Sequence, residues 1–293
     1  MARPRVQDYG KLIELPVQRK LLSLLQGRHG GTGAGSSHEF LDMAEYKVGD
    51  DISDIDWKST ARMRQPIVKR FEQTAVLNVV LGVDTGSNMG ALAPARAEAK
   101  EDVAAEIITA LAWLTAYRGD HLGLVAGNSS DLTTLPARSG AIHAQTLVSV
   151  ATSAEPTGAP GDFSAVMRRI DSTRRGKALV IGITDTGQLD AMNEVYLKRV
   201  AARHKLMMMI IQDADPTRVT TTDSMRDVVS GPIPDFVKSD DTIGYQWSTG
   251  RQIKQHRVAQ KLRRYGVDWV SVSSTDEVPE ALLSLFGGGK RAA

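Results

Sequence analysis

Ala75–Met89 reads AVLNVVLGVDTGSNM, and six of the eight residues Val76–Val83 are Val or Leu, interrupted only by Asn78 and Gly82. A short β-branched apolar run closed by turn residues is a strand buried on both faces. Such strands belong to parallel sheets covered by helices. Each parallel neighbour needs a crossover of a dozen residues or more, so one run of this kind commits the chain to an α/β layout. The turn Asp84-Thr85-Gly86-Ser87 follows at the carboxyl end, where open α/β sheets bind ligands. Asp84 there serves a ligand or caps the turn and the next helix.

The remaining pattern agrees. Lys177–Ile183 (KALVIGI) repeats the layout and ends at Thr184-Asp185-Thr186-Gly187. His121–Ala126, Lys205–Ile211 and Val267–Val272 are further strands, and Leu132–Pro136 forms a hairpin with His121–Ala126. In Ala95–Tyr117, Val103, Ile107, Ala110, Leu111 and Leu114 make one helical stripe. Helices are also expected over 139–152, 162–174, 191–204, 251–265 (capped by Ser248 or Thr249) and 275–286, with 212–250 polar and irregular. Strands alternating with helices predict a doubly wound, mostly parallel α/β sheet with helices on both faces, a Rossmann-like layout. Pro66–Phe71 (PIVKRF) reads as a strand pairing antiparallel with Val76–Val83. Before it lie a helix within 8–25 broken at Pro16, a flexible linker with five glycines between Gly27 and Gly35, and a turn at Val48–Asp51.

Composition removes several function classes. A formal net charge of +2 makes no field for nucleic acid, and the basic helix Lys254–Arg264 reads as a solvated face. The absence of cysteine excludes disulfides and thiolate metal sites and fits a reducing compartment. The six histidines are scattered, so zinc is not expected, and no Gly-x-Ser-x-Gly elbow occurs. No apolar run approaches the roughly 20 residues that span a bilayer, and the first residues lack an apolar signal region, so the chain is expected to be cytoplasmic.

Asp84 and Asp185 follow two separate buried strands, with Asn88 four residues past the first. Neighbouring strands would bring these oxygens to one crevice suited to Mg²⁺ or Ca²⁺; otherwise each aspartate caps a turn or helix. The frame Asp84-Thr85-Gly86-Ser87-Asn88-Met89, its long helix and Thr184-Asp185 resemble a von Willebrand factor A domain. That family carries a metal-ion-dependent adhesion site built on Asp-x-Ser-x-Ser, a second-loop Thr and a third-loop Asp. Here Gly86 and Asn88 stand at the serine positions, and the threonine position falls near Gly161, with Ser164 and Asp162 the nearest oxygens. The resemblance implies a degenerate site on Asp84, Asn88 and Asp185, holding Mg²⁺ weakly or not at all.

His38-Glu39-Phe40, Glu45-Tyr46, Gly49-Asp50-Asp51, Ile55-Asp56-Trp57-Lys58 and Ala61-Arg62 resemble the signature of the domain-of-unknown-function 58 family. Ala44 and Ser53 depart from the arginines usual there. The resemblance implies a von Willebrand A-like protein encoded beside a MoxR-type AAA+ ATPase, with that ATPase as partner. It divides the chain into an N-terminal helix and linker (1–37), a signature segment packed on the sheet edge (38–74), the von Willebrand A-like domain (75–286) and a disordered tail (287–293). Asp50, Asp51, Asp54, Asp56, Trp57, Lys58 and Arg62 either weld the signature segment to the sheet or dock the partner. Trp57 is expected to be a core anchor, with docking through the acidic residues beside it. The function expected is a non-enzymatic adaptor in protein assembly or maturation. The alternative is a divalent-metal-dependent hydrolase using Asp84, Asp185 and Asp50 or Asp56.

Overall fold

The computed structural model describes residues 38–47, 52–73, 76–94, 98–153, 158–173, 176–217, 226–227, 231–232, 237 and 241–287. The expected helix within 8–25, the glycine-rich linker, the Val48–Asp51 turn and the tail beyond Gly287 lie outside the described residues. Two compact units emerge, one within Arg28–Val76 and one running from Leu77.

In the smaller unit, β1 (His38–Glu45) pairs antiparallel with β2 (Ile67–Gln73). Between them lies helix α1 (Trp57–Met63). Asp56 is its N-cap: Oδ1 accepts from Lys58 N at 3.0 Å and Ser59 N at 3.2 Å. Arg64 ends the helix in the left-handed region, at φ 57°. No residue of α1 is buried, so its caps, and not core packing, define its ends. Asp56→Ala should therefore cost about 1 kcal/mol and unwind α1, seen as lost amide protection in hydrogen exchange.

In the larger unit six strands run in the order β10-β7-β6-β3-β4-β5. They are β3 (Asn78–Asp84), β4 (His121–Gly127), β5 (Leu132–Arg138), β6 (Leu179–Asp185), β7 (Lys205–Ile211) and β10 (Asp268–Val272); a two-residue ribbon joins β8 (Arg226–Asp227) and β9 (Gly231–Pro232). All six are parallel to their neighbours except β5, which returns antiparallel on β4. The α/β class is as the strand runs require. The expected pairing of β2 with Val76–Val83 does not occur. β3 has parallel partners along both edges, β4 and β6, so it has no ladder to offer β2.

Alternation along the central strands feeds two cores. Val79, Leu81 and Val83 pack with α2 (Lys100–Arg118), α3 (Ala141–Ser153) and α8 (Val278–Gly287). Val80, Val125 and Val180 pack with α4 (Phe163–Thr173), α5 (Thr186–Ala191), α6 (Glu194–Arg203) and α7 (Asp241–Arg264). Gly82 and Gly182 sit side by side in register. A Cβ on Gly82 would stand 2.9 Å from Ile170 Cδ1, so this interruption of the apolar run lets α4 approach the sheet.

Two helix boundaries differ from expectation. The helix expected from Ala191 begins at Glu194, because Asn193 caps α6 by accepting from Val195 N at 3.0 Å, and the short α5, which was not expected, ends at Ala191 before it. The helix expected from Arg251 begins at Asp241, so Ser248 and Thr249 lie inside it and cap nothing. Its basic residues are partly used on neighbouring helices. Lys261 Nζ donates to the carbonyls of Leu189, Asp190 and Met192 at 2.9–3.1 Å, and Arg257 pairs with Asp190 at 2.6 Å.

Candidate functional site

β3 is first in sequence among the six strands; β4 and β5 lie to one side of it, and β6, β7 and β10 to the other. The chain therefore reverses its winding between β3 and β6, the switch point where open α/β sheets place ligands. Asp84 ends β3 and Asp185 ends β6, on the two sides of that switch point.

Both carboxylates are buried and heavily bonded. Asp84 Oδ1 accepts from Gly86 N at 3.0 Å, holding the turn. Asp84 Oδ2 accepts from Thr184 Oγ1 at 3.0 Å and from Asn88 Nδ2 at 2.8 Å. The same Asn88 nitrogen donates to Asp185 Oδ2 at 2.8 Å, so one amide bridges the two aspartates. Asp185 Oδ1 caps α5 by accepting from Gln188 N at 2.8 Å. The structure thus brings Asp84, Asn88 and Asp185 together; Asp185 also caps α5, whereas Asp84 holds its own turn and caps no helix.

The central residue is one the sequence analysis did not single out. Lys100, in the first turn of α2, is 1 % exposed. Its Nζ lies 2.6 Å from Asp185 Oδ2 and 2.5 Å from Asp213 Oδ1, in the segment just past β7. Burial would push Asp185 up, and the Lys100 charge and hydrogen bond reverse this, holding the carboxyl below the usual range. Burial likewise opposes the Lys100 charge, but Asp185 and Asp213 raise its ammonium above its ordinary value. Among the described residues no cation pairs with Asp84, and burial, together with the Asp185 charge, pushes it up despite the bonds from Asn88, Gly86 and Thr184.

Lys100 had a legible signal. It lies three, seven and eleven residues before Val103, Ile107 and Leu111, on the stripe that faces the core. A lysine in the first turn also opposes the helix dipole. A cation placed against both rules needs buried anions to hold it.

The loops around the aspartates are closed on each other. Ser87 N donates to Ala159 O at 2.8 Å, and Ser129 N to Pro160 O at 3.0 Å. A Cβ on Gly86 would stand 2.3 Å from the Gly161 Cα and N, so only glycine fits at 86. Asp162 caps α4 through Ala165 N at 2.9 Å, and Ser164 Oγ accepts from Asn193 N at 3.2 Å, so both oxygens are spent locally. These residues do not fit a divalent ion. Mg²⁺ and Ca²⁺ require converging oxygens. Here an ammonium and an amide NH₂ already occupy the facing lone pairs, and Gly86 and Gly161 bring backbone where two hydroxyls would stand. Among the described residues no group of three or more His, Asp or Glu side chains is arranged to hold a metal.

Of the signature residues, Asp50, Asp51 and the Asp54 side chain lie outside the described residues. Asp56 caps α1, and Lys58 and Arg62 are exposed. Trp57 is 68 % exposed, which corrects the core-anchor expectation: it starts a helix that buries none of its residues. Ile52, Met63 and Met43 are exposed in the same unit.

The family profile described as "Protein of unknown function DUF58" matches residues 42–229. Uncharacterized protein Mb1516 of Mycobacterium bovis and Uncharacterized protein Rv1480 of Mycobacterium tuberculosis are each 28% identical over 297 residues, covering 99% of this chain and 92% of theirs. Among solved structures, BatB from Bacteroides thetaiotaomicron matches at 16% identity and a TM-score of 0.48, covering 73% of this chain and 100% of its own. An aerotolerance-related membrane protein from Bacteroides fragilis matches at 13% and 0.46, over 72% and 99%. A von Willebrand factor type A protein from Catenulispora acidiphila matches at 11% and 0.39, over 75% and 44%. At such scores the fold assignment rests on the chain's own strand order.

Proposed function

We propose, because the chain belongs to the family described as Protein of unknown function DUF58, that it is a non-enzymatic cytoplasmic adaptor for a MoxR-type AAA+ ATPase in the assembly or maturation of protein complexes. The partner comes from the family resemblance. The observation that supports a docking role is the exposure of Trp57 at the head of α1, with exposed Ile52 and Met63 nearby in sequence. An aromatic ring flanked by charged Asp56, Lys58 and Arg62 has the chemistry of an interface hot spot. In this reading the sheet's degenerate adhesion site is structural. The hydrolase alternative has less support, since Asp84 and Asp185 are engaged by Asn88, Thr184, Gln188 and Lys100, and Asp56 is a helix cap. Among the described residues no helix is long and apolar enough to cross a membrane.

The test is capture of the AAA+ ATPase by the full chain, compared with Trp57→Ala. The variant should unfold within about 0.5 kcal/mol of the parent. Its affinity for the ATPase should fall by about 2 kcal/mol, roughly 30-fold. A stability loss of the size expected for a buried aromatic, about 3–5 kcal/mol, would refute the docking role. So would undiminished capture.

A further inference from the structure

We infer that the Lys100 ammonium is a tethered cation in the place of the adhesion-site metal, so that this end of the sheet works without a divalent ion and its carboxylates form a latent metal site that only loss of Lys100 opens. The inference stands on the switch-point geometry and is independent of the ATPase proposal.

Three acidic groups project from consecutive neighbours in the sheet: Asp84 on β3, Asp185 on β6 and Asp213 just past β7. Such a cluster at a buried strand end requires positive charge. Lys100 supplies it from the helix after the β3 loop, at 2.6 Å from Asp185 and 2.5 Å from Asp213. The Asn88 amide then ties the third carboxylate to the second. With an ammonium fixed here, a divalent cation would meet strong like-charge repulsion at short range.

Without the ammonium the remaining groups change meaning. Asp84, Asp185 and Asp213 become hard oxygen donors, joined by the Thr184 hydroxyl. Asn88 Oδ1 is buried and finds no hydrogen-bond donor among the described residues, so a turn of that carboxamide exchanges two N–H donors for an oxygen ligand. The Asp213 side chain is 42 % exposed, which gives an ion a way in.

The probe is Mn²⁺, followed by electron paramagnetic resonance and thermal unfolding of the full chain. The wild type should leave the free-Mn²⁺ signal undiminished at millimolar concentration and unfold at the same temperature in Mn²⁺ as in EDTA. Lys100→Ala should bind about one Mn²⁺ per chain. At 100 times its Kd, its midpoint should rise by roughly 5 °C. Adding Asp84→Asn should abolish both effects. If Lys100→Ala is unfolded in EDTA, Mn²⁺ should restore its fold. The inference is overturned if the wild type binds Mn²⁺ with a matching rise in midpoint. It is equally overturned if the alanine variant, folded or unfolded, does not respond to Mn²⁺.

Discussion

Lys100→Met is expected to lower the unfolding free energy by about 3–5 kcal/mol, read as a shift in denaturant midpoint at constant slope. Methionine nearly matches the length of the lysine side chain, so the cost is not a cavity. It is the Asp185 carboxylate, almost fully buried, left without its cation. Asp213 is more exposed and turns to water at little cost. The pairing predicts partial recovery in Lys100→Met/Asp185→Asn. Asparagine retains the α5 cap on Gln188 N, and the uncompensated charge is gone. The double variant should be more stable than the sum of the singles implies, by about 2 kcal/mol. Strictly additive losses would mean that Lys100 and Asp185 act separately. Acid should narrow the gap between wild type and Lys100→Met. The Asp185 carboxyl is held low in the fold, so its contribution is present above the unfolded value near 4 and is lost as pH falls through the folded value.

Long apolar runs, of Val, Leu and Ile in β3 and β6 and of Met and Ile in β7, made these strands readable, because a strand buried on both faces admits little else. Their turn residues therefore located Asp84 and Asp185, and Asn88 followed from its spacing. Lys100 escaped because lysine is ordinarily a surface residue; here its place on the core stripe carried more information than its type. Asp213 follows a run of methionines and isoleucines with no turn motif around it, so only the sheet order brings it to the site. The start of α7 escaped because Gly244, Ser248, Thr249 and Gly250 are all weak helix formers, and the helix runs through them nonetheless. Trp57 was misjudged for the opposite reason. Tryptophan is usually well buried, but the capped turn that holds it leaves the ring outside.

Gly86→Ser puts back the serine that an adhesion site would carry, and it should cost about 3 kcal/mol of stability without conferring Mn²⁺ binding. The loss comes from the Cβ, before any hydroxyl is considered. Built on the existing backbone, it would lie 2.3 Å from the Cα and N of Gly161 and 2.5 Å from Asn88 Oδ1. Two of those three atoms are backbone, in a loop pinned just before Gly161 by Ser87 N donating to Ala159 O and Ser129 N donating to Pro160 O. Moving that loop strains both bonds and displaces Asn88, whose amide links the two aspartates. A restored hydroxyl would still face an occupied site, because the Lys100 ammonium remains on Asp185. Gly176→Ser is the matched control. Nothing lies within 4 Å of a Cβ there, so that change should stay within about 0.5 kcal/mol of the parent. Equal stability of the two serine variants would show that the Gly86 and Gly161 loops can part, and a Gly86→Ser protein that bound Mn²⁺ with Lys100 in place would show that the glycines, and not the ammonium, keep the ion out.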